Sequence, residues 1–141
     1  MLTRRAAALA FAGLPLLSRT SFATERIRMF ELYKDDMSFS KRAYELQGKA
    51  IEIQGFMAPH LKVASDFFIL SNTPVETCPF CASEGDWIDS IVFVRMKSRG
   101  EAISPGRVIN TVGRLEIGAE TDAETGFVSR VRLVDAAVRL A

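Results

Sequence analysis

The stretch Ala50-Ile51-Glu52-Ile53-Gln54-Gly55-Phe56-Met57 alternates apolar and polar residues as far as Gly55, the period of a strand with one buried face and one wet face. A glycine inside such a run marks a sharp bend or a close approach by another backbone. Pro59 ends the run. Upstream, Ser40 reads as the cap of a short helix over Lys41 to Gln47, which Gly48 terminates. The segment from Arg26 to Met37 shows no dominant period and reads as irregular or as a short strand.

Downstream, Phe67-Phe68-Ile69-Leu70 is rich in strand formers, and Ser71-Asn72-Thr73-Pro74 closes it with turn residues. These two runs predict a hairpin with His60 in its connection. Three more strands follow: Ile91 to Met96, Val108 to Ile117 with Gly113 inside it, and Val128 to Val134. The polar, acidic connector Gly118 to Gly126 reads as a solvated hairpin loop. Five short strands, with hydrophobic-x-hydrophobic-x-Gly patterns around Gly55 and Gly113, predict a mainly all-β fold. Its expected form is a small five-stranded OB-like barrel with one or two short helices.

The N-terminus has a different character. Arg4 and Arg5 precede an apolar run from Ala6 to Leu17, too short to span a bilayer, and Ser21-Phe22-Ala23 offers the small residues a signal peptidase reads. Residues 1–23 are therefore expected to be a signal peptide and residues 24–141 a single OB-like domain, periplasmic or secreted and not itself membrane-spanning. Thr3-Arg4-Arg5 with Leu9 also resembles a twin-arginine export signal. Cleavage removes Arg4, Arg5 and Arg19, which turns the formal net charge of +1 slightly negative. A near-neutral, slightly acidic surface argues against nucleic acid as a partner. Phe56, Phe67, Phe68 and Phe93, which could serve as stacking platforms, are spaced for core packing instead. Arg95, Lys97 and Arg99 read as the solvent face at the end of a strand.

The sharpest chemical feature is Cys78-Pro79-Phe80-Cys81, which contains both cysteines of the chain. Thiolates at this spacing can chelate one soft or borderline metal ion, act as a redox dithiol, or close a small static disulfide. Only Ala82 to Ser90 separate Cys81 from the next strand, too little for the long helix and βαβ order of a thioredoxin fold. Ser83 and Asp86 give a capping signal for a short helix there. His60, the only histidine, is a candidate third ligand, with Glu84, Asp86 and Asp89 as nearby carboxylates. No serine-histidine-carboxylate set, phosphate loop or paired catalytic carboxylates can be assembled, so a binding role is expected and not an enzymatic one.

Gly48-Lys49, Gly55-Phe56-Met57-Ala58-Pro59, Phe68-Ile69-Leu70 and Cys78 occur in the order in which a family of uncharacterised exported bacterial proteins carries them. That family resembles this chain over about half of residues 24–141, with a G-[FY]-M-x-P strand end and a downstream cysteine loop. Its members carry one cysteine followed by a histidine and a proline run, where this chain has Cys-Pro-Phe-Cys and its histidine elsewhere. The resemblance implies an accessory part of an envelope transport system, in some members tied to metals. The expectation is a metal site at Cys78, Cys81 and His60, with Zn²⁺ the first choice and Cu⁺ the second. A thiol-disulfide redox protein, and a non-catalytic interaction domain with a structural disulfide, are the alternatives.

Overall fold

A computed structural model describes residues 24–59, 66–74, 90–98, 103–123 and 126–141, together with Gly13 and Gly100. Ser40 caps helix α1 (Lys41–Leu46), its side-chain oxygen accepting from the Ala43 N–H at 3.1 Å. Gly48 then takes a φ of +80°, the left-handed turn that ends a helix at least cost when there is no Cβ. Its N–H donates to the Leu115 carbonyl at 2.8 Å, and Leu115 N–H returns a bond to Lys49 at 3.0 Å. The chain thereby enters strand β2 (Ala50–Met57) already paired. The segment before α1 contains a short strand, β1 (Glu25–Ile27), and a 3-10 turn, Met29–Leu32.

The remaining strands are β3 (Phe67–Ser71), β4 (Ile91–Met96), β5 (Val108–Thr121) and β6 (Val128–Leu140). Among the described residues the fold is mostly β, with six strands in one sheet in the order β1-β2-β3-β4-β6-β5, and β2 also pairs with β5. That last pairing returns the sheet to its second strand, so β2, β3, β4, β6 and β5 form a closed circuit of hydrogen-bonded neighbours. The β4–β6 pair is parallel, and the other pairs in the circuit are antiparallel. A five-strand circuit of this connectivity is the OB-like arrangement expected from the sequence. β1 lies outside it, parallel to the first half of β2.

Period two decides what faces inward. Ile51, Ile53 and Met57 of β2 are buried in the main core with Phe68, Leu70, Val92, Val94, Ile109, Leu115, Val131 and Leu133. Met29, Leu32, Ala43 and Leu46 add the N-terminal segment to the same core. Arg130 fastens that segment from outside, its guanidinium 4.9 Å from the Phe39 ring centre and donating to the Met37 carbonyl at 2.9 Å. Gly113 lies on the inward face opposite Ile51, where β6 carries a bulge: the register shifts between Val112 and Arg114, and Asp135 has φ +49°. The bulge turns both Leu133 and Ala136 toward Gly113, so a Cβ there would lie 3.0 and 3.1 Å from theirs. Arg114 pairs with Asp135 at 2.8 Å across the kink.

Thr111 also faces the core, fully buried, and its hydroxyl has no hydrogen-bond partner among the described residues. A buried hydroxyl left unpaired costs about 1–3 kcal/mol relative to a methyl of the same shape. Thr111→Val is accordingly expected to raise stability by about 1 kcal/mol in chemical denaturation, and a loss of stability would contradict this placement.

On the outward face of β2, the buried carboxylate of Glu52 accepts from Arg139 of β6 at 3.0 Å and Arg26 of β1 at 3.3 Å. Burial opposes its charge, but the hydrogen bond from Arg139 and the charge of Arg26 outweigh it, holding its pKa below the ordinary 4.5. A depressed carboxylate pKa stabilises the fold above the ordinary value, and the contribution disappears as pH falls through the folded-state value. Both arginines are more than half exposed, so solvent screening limits the effect of Glu52→Gln to about 1 kcal/mol at neutral pH. Denaturation curves of the two proteins are expected to converge below pH 4.5. A constant gap across the range would show that the charge is not responsible.

Candidate functional site

The cysteine-bearing connection is held by β3 and β4. All five residues of β3 are buried, and its ladder to β4 runs from Phe67↔Arg95 to Ser71↔Ile91. Past that last rung Asn72 N–H donates to the Ser90 carbonyl at 2.8 Å, and Thr73 N–H reaches the Ser71 hydroxyl at 3.4 Å. The two ends of the connection that carries Cys78 and Cys81 are thus fixed against each other. Midway along β3, Ala58 N–H donates to the Ile69 carbonyl at 2.9 Å, and just before the strand begins Met96 N–H donates to the Asp66 carbonyl at 2.6 Å. Those bonds anchor the ends of the segment that carries His60.

Cys78, Cys81, His60 and the carboxylates Glu84, Asp86 and Asp89 lie outside the described residues, as does the capped helix expected from Ser83. What the fold supplies is the spacing of their anchors. Ala58 sits beside Ile69, two residues or roughly 7 Å from Ser71, whereas Asp66 lies five residues or roughly 17 Å from it. Among the described residues no group of three His, Cys, Asp or Glu side chains could hold a metal ion.

Beside this frame lies a second apolar cluster on the outward face of β3 and β4. It comprises Ala58, Phe67, Ile69 and Phe93, all buried, with Ile91 and Phe127 packed against them. Phe67 and Phe93 stack with ring centres 5.5 Å apart, and Phe127 continues the stack at 6.0 Å from Phe93. Phe68, the next residue in the chain, points the other way into the barrel core. Of the phenylalanines that the sequence assigns to core packing, Phe67 and Phe68 therefore divide between the two faces of β3.

Arg95 closes the edge of this cluster. Its guanidinium lies 5.7 Å from the Phe93 ring centre and pairs with Asp122 at 2.7 Å and Asp66 at 3.4 Å. Next to it Arg132, almost fully buried, donates to the Gly118 carbonyl at 2.7 Å and to both oxygens of Ser129 at 3.2 Å. Glu116 and Glu120 each lie 3.4 Å from its Nε. These side chains line a cleft of about 40 Å³. Both guanidiniums are already met by carboxylates, so the cleft reads as a fastening of the β5–β6 arm and not as an anion site.

Two sequence expectations are corrected here. β5 runs on to Thr121, so the acidic connector is strand for nearly half its length, its Asp122 pairs with Arg95, and Phe127 just beyond it joins the aromatic stack. Arg95 is tied into that packing and is not simply a solvent-facing charge. Acidic composition alone reads as solvation; the missing signal was the arginine that the barrel brings alongside from a strand 27 residues away.

The class this architecture defines is a small, mostly β domain of OB-like connectivity. No family model matches the chain, and no curated protein does. Among solved structures it is similar to the crystal structure of a DUF3299 family protein from Pseudomonas aeruginosa PAO1. The two are 11% identical, with a TM-score of 0.54, over 84% of this chain and 97% of that one. At that identity the likeness is one of fold.

Proposed function

We propose that this is an exported, non-catalytic metal-binding accessory protein that holds Zn²⁺ through the Cys78 and Cys81 thiolates and passes it to a partner in an envelope transport or metal-handling system. The observation that carries the reading is the position of Cys78-Pro79-Phe80-Cys81, the only cysteines of the chain, in a connection whose two ends are pinned by β3 and β4. Pinned ends reduce the chain entropy that a metal must overcome when it orders a loop. Two thiolates suit a borderline-soft ion, and ligand places left to His60, a carboxylate or water keep the ion exchangeable. The all-β fold also differs from the βαβ scaffold on which thioredoxin-type dithiols act.

The test is zinc titration of the reduced protein against a chromogenic competitor. One zinc per chain at sub-micromolar affinity is the expected result. Failure to compete, together with turnover in a disulfide-reduction assay, would replace the metal reading with thiol redox chemistry.

A further inference from the structure

We propose that the outward face of β1, β2, β5 and β6 docks an extended, acidic segment of a partner polypeptide, one carboxylate of which lodges between Arg26 and Arg139. The strand registers set Arg26 beside Glu52, Glu52 beside Val112, and Asn110 between Gln54 and Arg139. Both guanidiniums donate through Nη2 to the same Glu52 oxygen, at 3.3 and 3.0 Å. Both are more than half exposed, and among the described residues neither has a second carboxylate within ion-pair distance. Two cations on one anion leave a single positive charge, which one further carboxylate cancels. The same molecule shows the opposite balance at Arg95 and Arg132, which share the carboxylates of Asp66, Asp122, Glu116 and Glu120.

The donors are in place for that carboxylate. Each guanidinium spends only Nη2 on Glu52, which leaves its Nε and Nη1 hydrogens for another acceptor. Because both reach one oxygen, a carboxylate with two oxygens spans the pair. The next charge along this face, Arg114, is already matched by Asp135. Asn110 is only 7% exposed, and its Oδ1 accepts from Gln54 at 3.1 Å, while its Nδ2 has no acceptor among the described residues. A carbonyl of a segment laid along β5 would supply one. Val108, Asn110 and Val112 follow one another at strand period on the outward side of β5; Val108 is exposed and Val112 half-buried. An extended segment presents its own side chains at the same period. The pattern apolar-x-Glu-x-apolar therefore sets the glutamate near the arginines and one apolar residue over each valine. Unbroken pairing of β2 with β5 from Ala50↔Arg114 to Phe56↔Val108 holds the face in shape before a partner arrives.

The test is titration of the full protein with acetyl-Ser-Val-Ser-Glu-Ser-Val-Ser-amide and its glutamine counterpart, followed by backbone amide resonances. This face shares no residue with the metal site proposed above, so the result is independent of zinc. The glutamate peptide is expected to bind saturably, shifting the amides of Asn110 and Val112, and to bind about fivefold more tightly than the glutamine peptide, the upper size of an exposed charge pair. That preference should shrink with added salt. In the double variant Arg26→Gln, Arg139→Gln the two peptides should bind alike. Absence of saturable binding, equal binding of the two peptides by the unmutated protein, unmoved Asn110 and Val112 amides, or a preference that survives in the double variant would overturn the proposal.

Discussion

Gly55→Ala is expected to destabilise the protein by about 2–3 kcal/mol, near the upper end for overpacking a close-packed site. A Cβ at Gly55 would lie 2.5 Å from the Ser71 carbonyl oxygen and 3.2 and 3.3 Å from the Leu70 side chain. The nearest atom is backbone on the neighbouring strand, so no rotamer change relieves the clash and β2 and β3 must part. Their ladder consists of Phe56↔Ser71 and Met57↔Leu70, the shortest seam in the barrel circuit, and its first rung adjoins the substituted residue. Gly106, where an added Cβ meets nothing within 4 Å, provides the control. Urea denaturation should lower the midpoint for Gly55→Ala and leave it almost unmoved for Gly106→Ala. Equal midpoints for the two variants would mean that the seam is not as tight as described.

Substitution of either cysteine should have the larger functional effect. Cys78→Ser and Cys81→Ser are each expected to lose bound zinc entirely in competition assays, because one remaining thiolate cannot chelate the ion. His60→Ala should retain it at reduced affinity, since both thiolates remain and water can take the vacated place. Binding must displace thiol protons whose ordinary pKa is about 8.5. Zinc affinity should therefore fall as pH drops from 8 to 6, by up to about 100-fold per unit if two protons are released. A pH-independent affinity, or full retention in both serine variants, would place the metal elsewhere. Retention in His60→Ala equal to the unmodified protein would keep the cysteine site and remove the histidine from it.

The strands were legible where one face is buried and the period is clean. Ala50 to Met57 and Ile91 to Met96 fall where alternation and β-branched residues place them, and Ser40 and Gly48 bound α1 as capping chemistry dictates. The mid-strand glycines pointed to curvature, but the cause lay beyond local sequence: Gly55 is approached by the Ser71 carbonyl, and Gly113 faces a bulge in β6. β6 runs to Leu140 because its far half pairs with β5, a long-range partnership that Asp135 and the exposed Arg139 conceal from a periodicity argument. The second apolar cluster was hidden for a related reason. β3 is buried on both faces, so its unbroken apolar run contains no alternation to assign Phe67 and Phe68 to different sides. Cys78 and Cys81 were found by spacing alone, and the fold adds the frame that holds the ends of their connection.

The measurement closest to the central claim is native mass spectrometry of the protein recovered from its exporting compartment without added reductant or chelator. The account predicts a chain beginning at Thr24 with one zinc ion bound and two thiol protons displaced. A metal-free chain of the same span, lighter than the reduced form by two hydrogens, would contradict it and leave Cys78 and Cys81 as a disulfide.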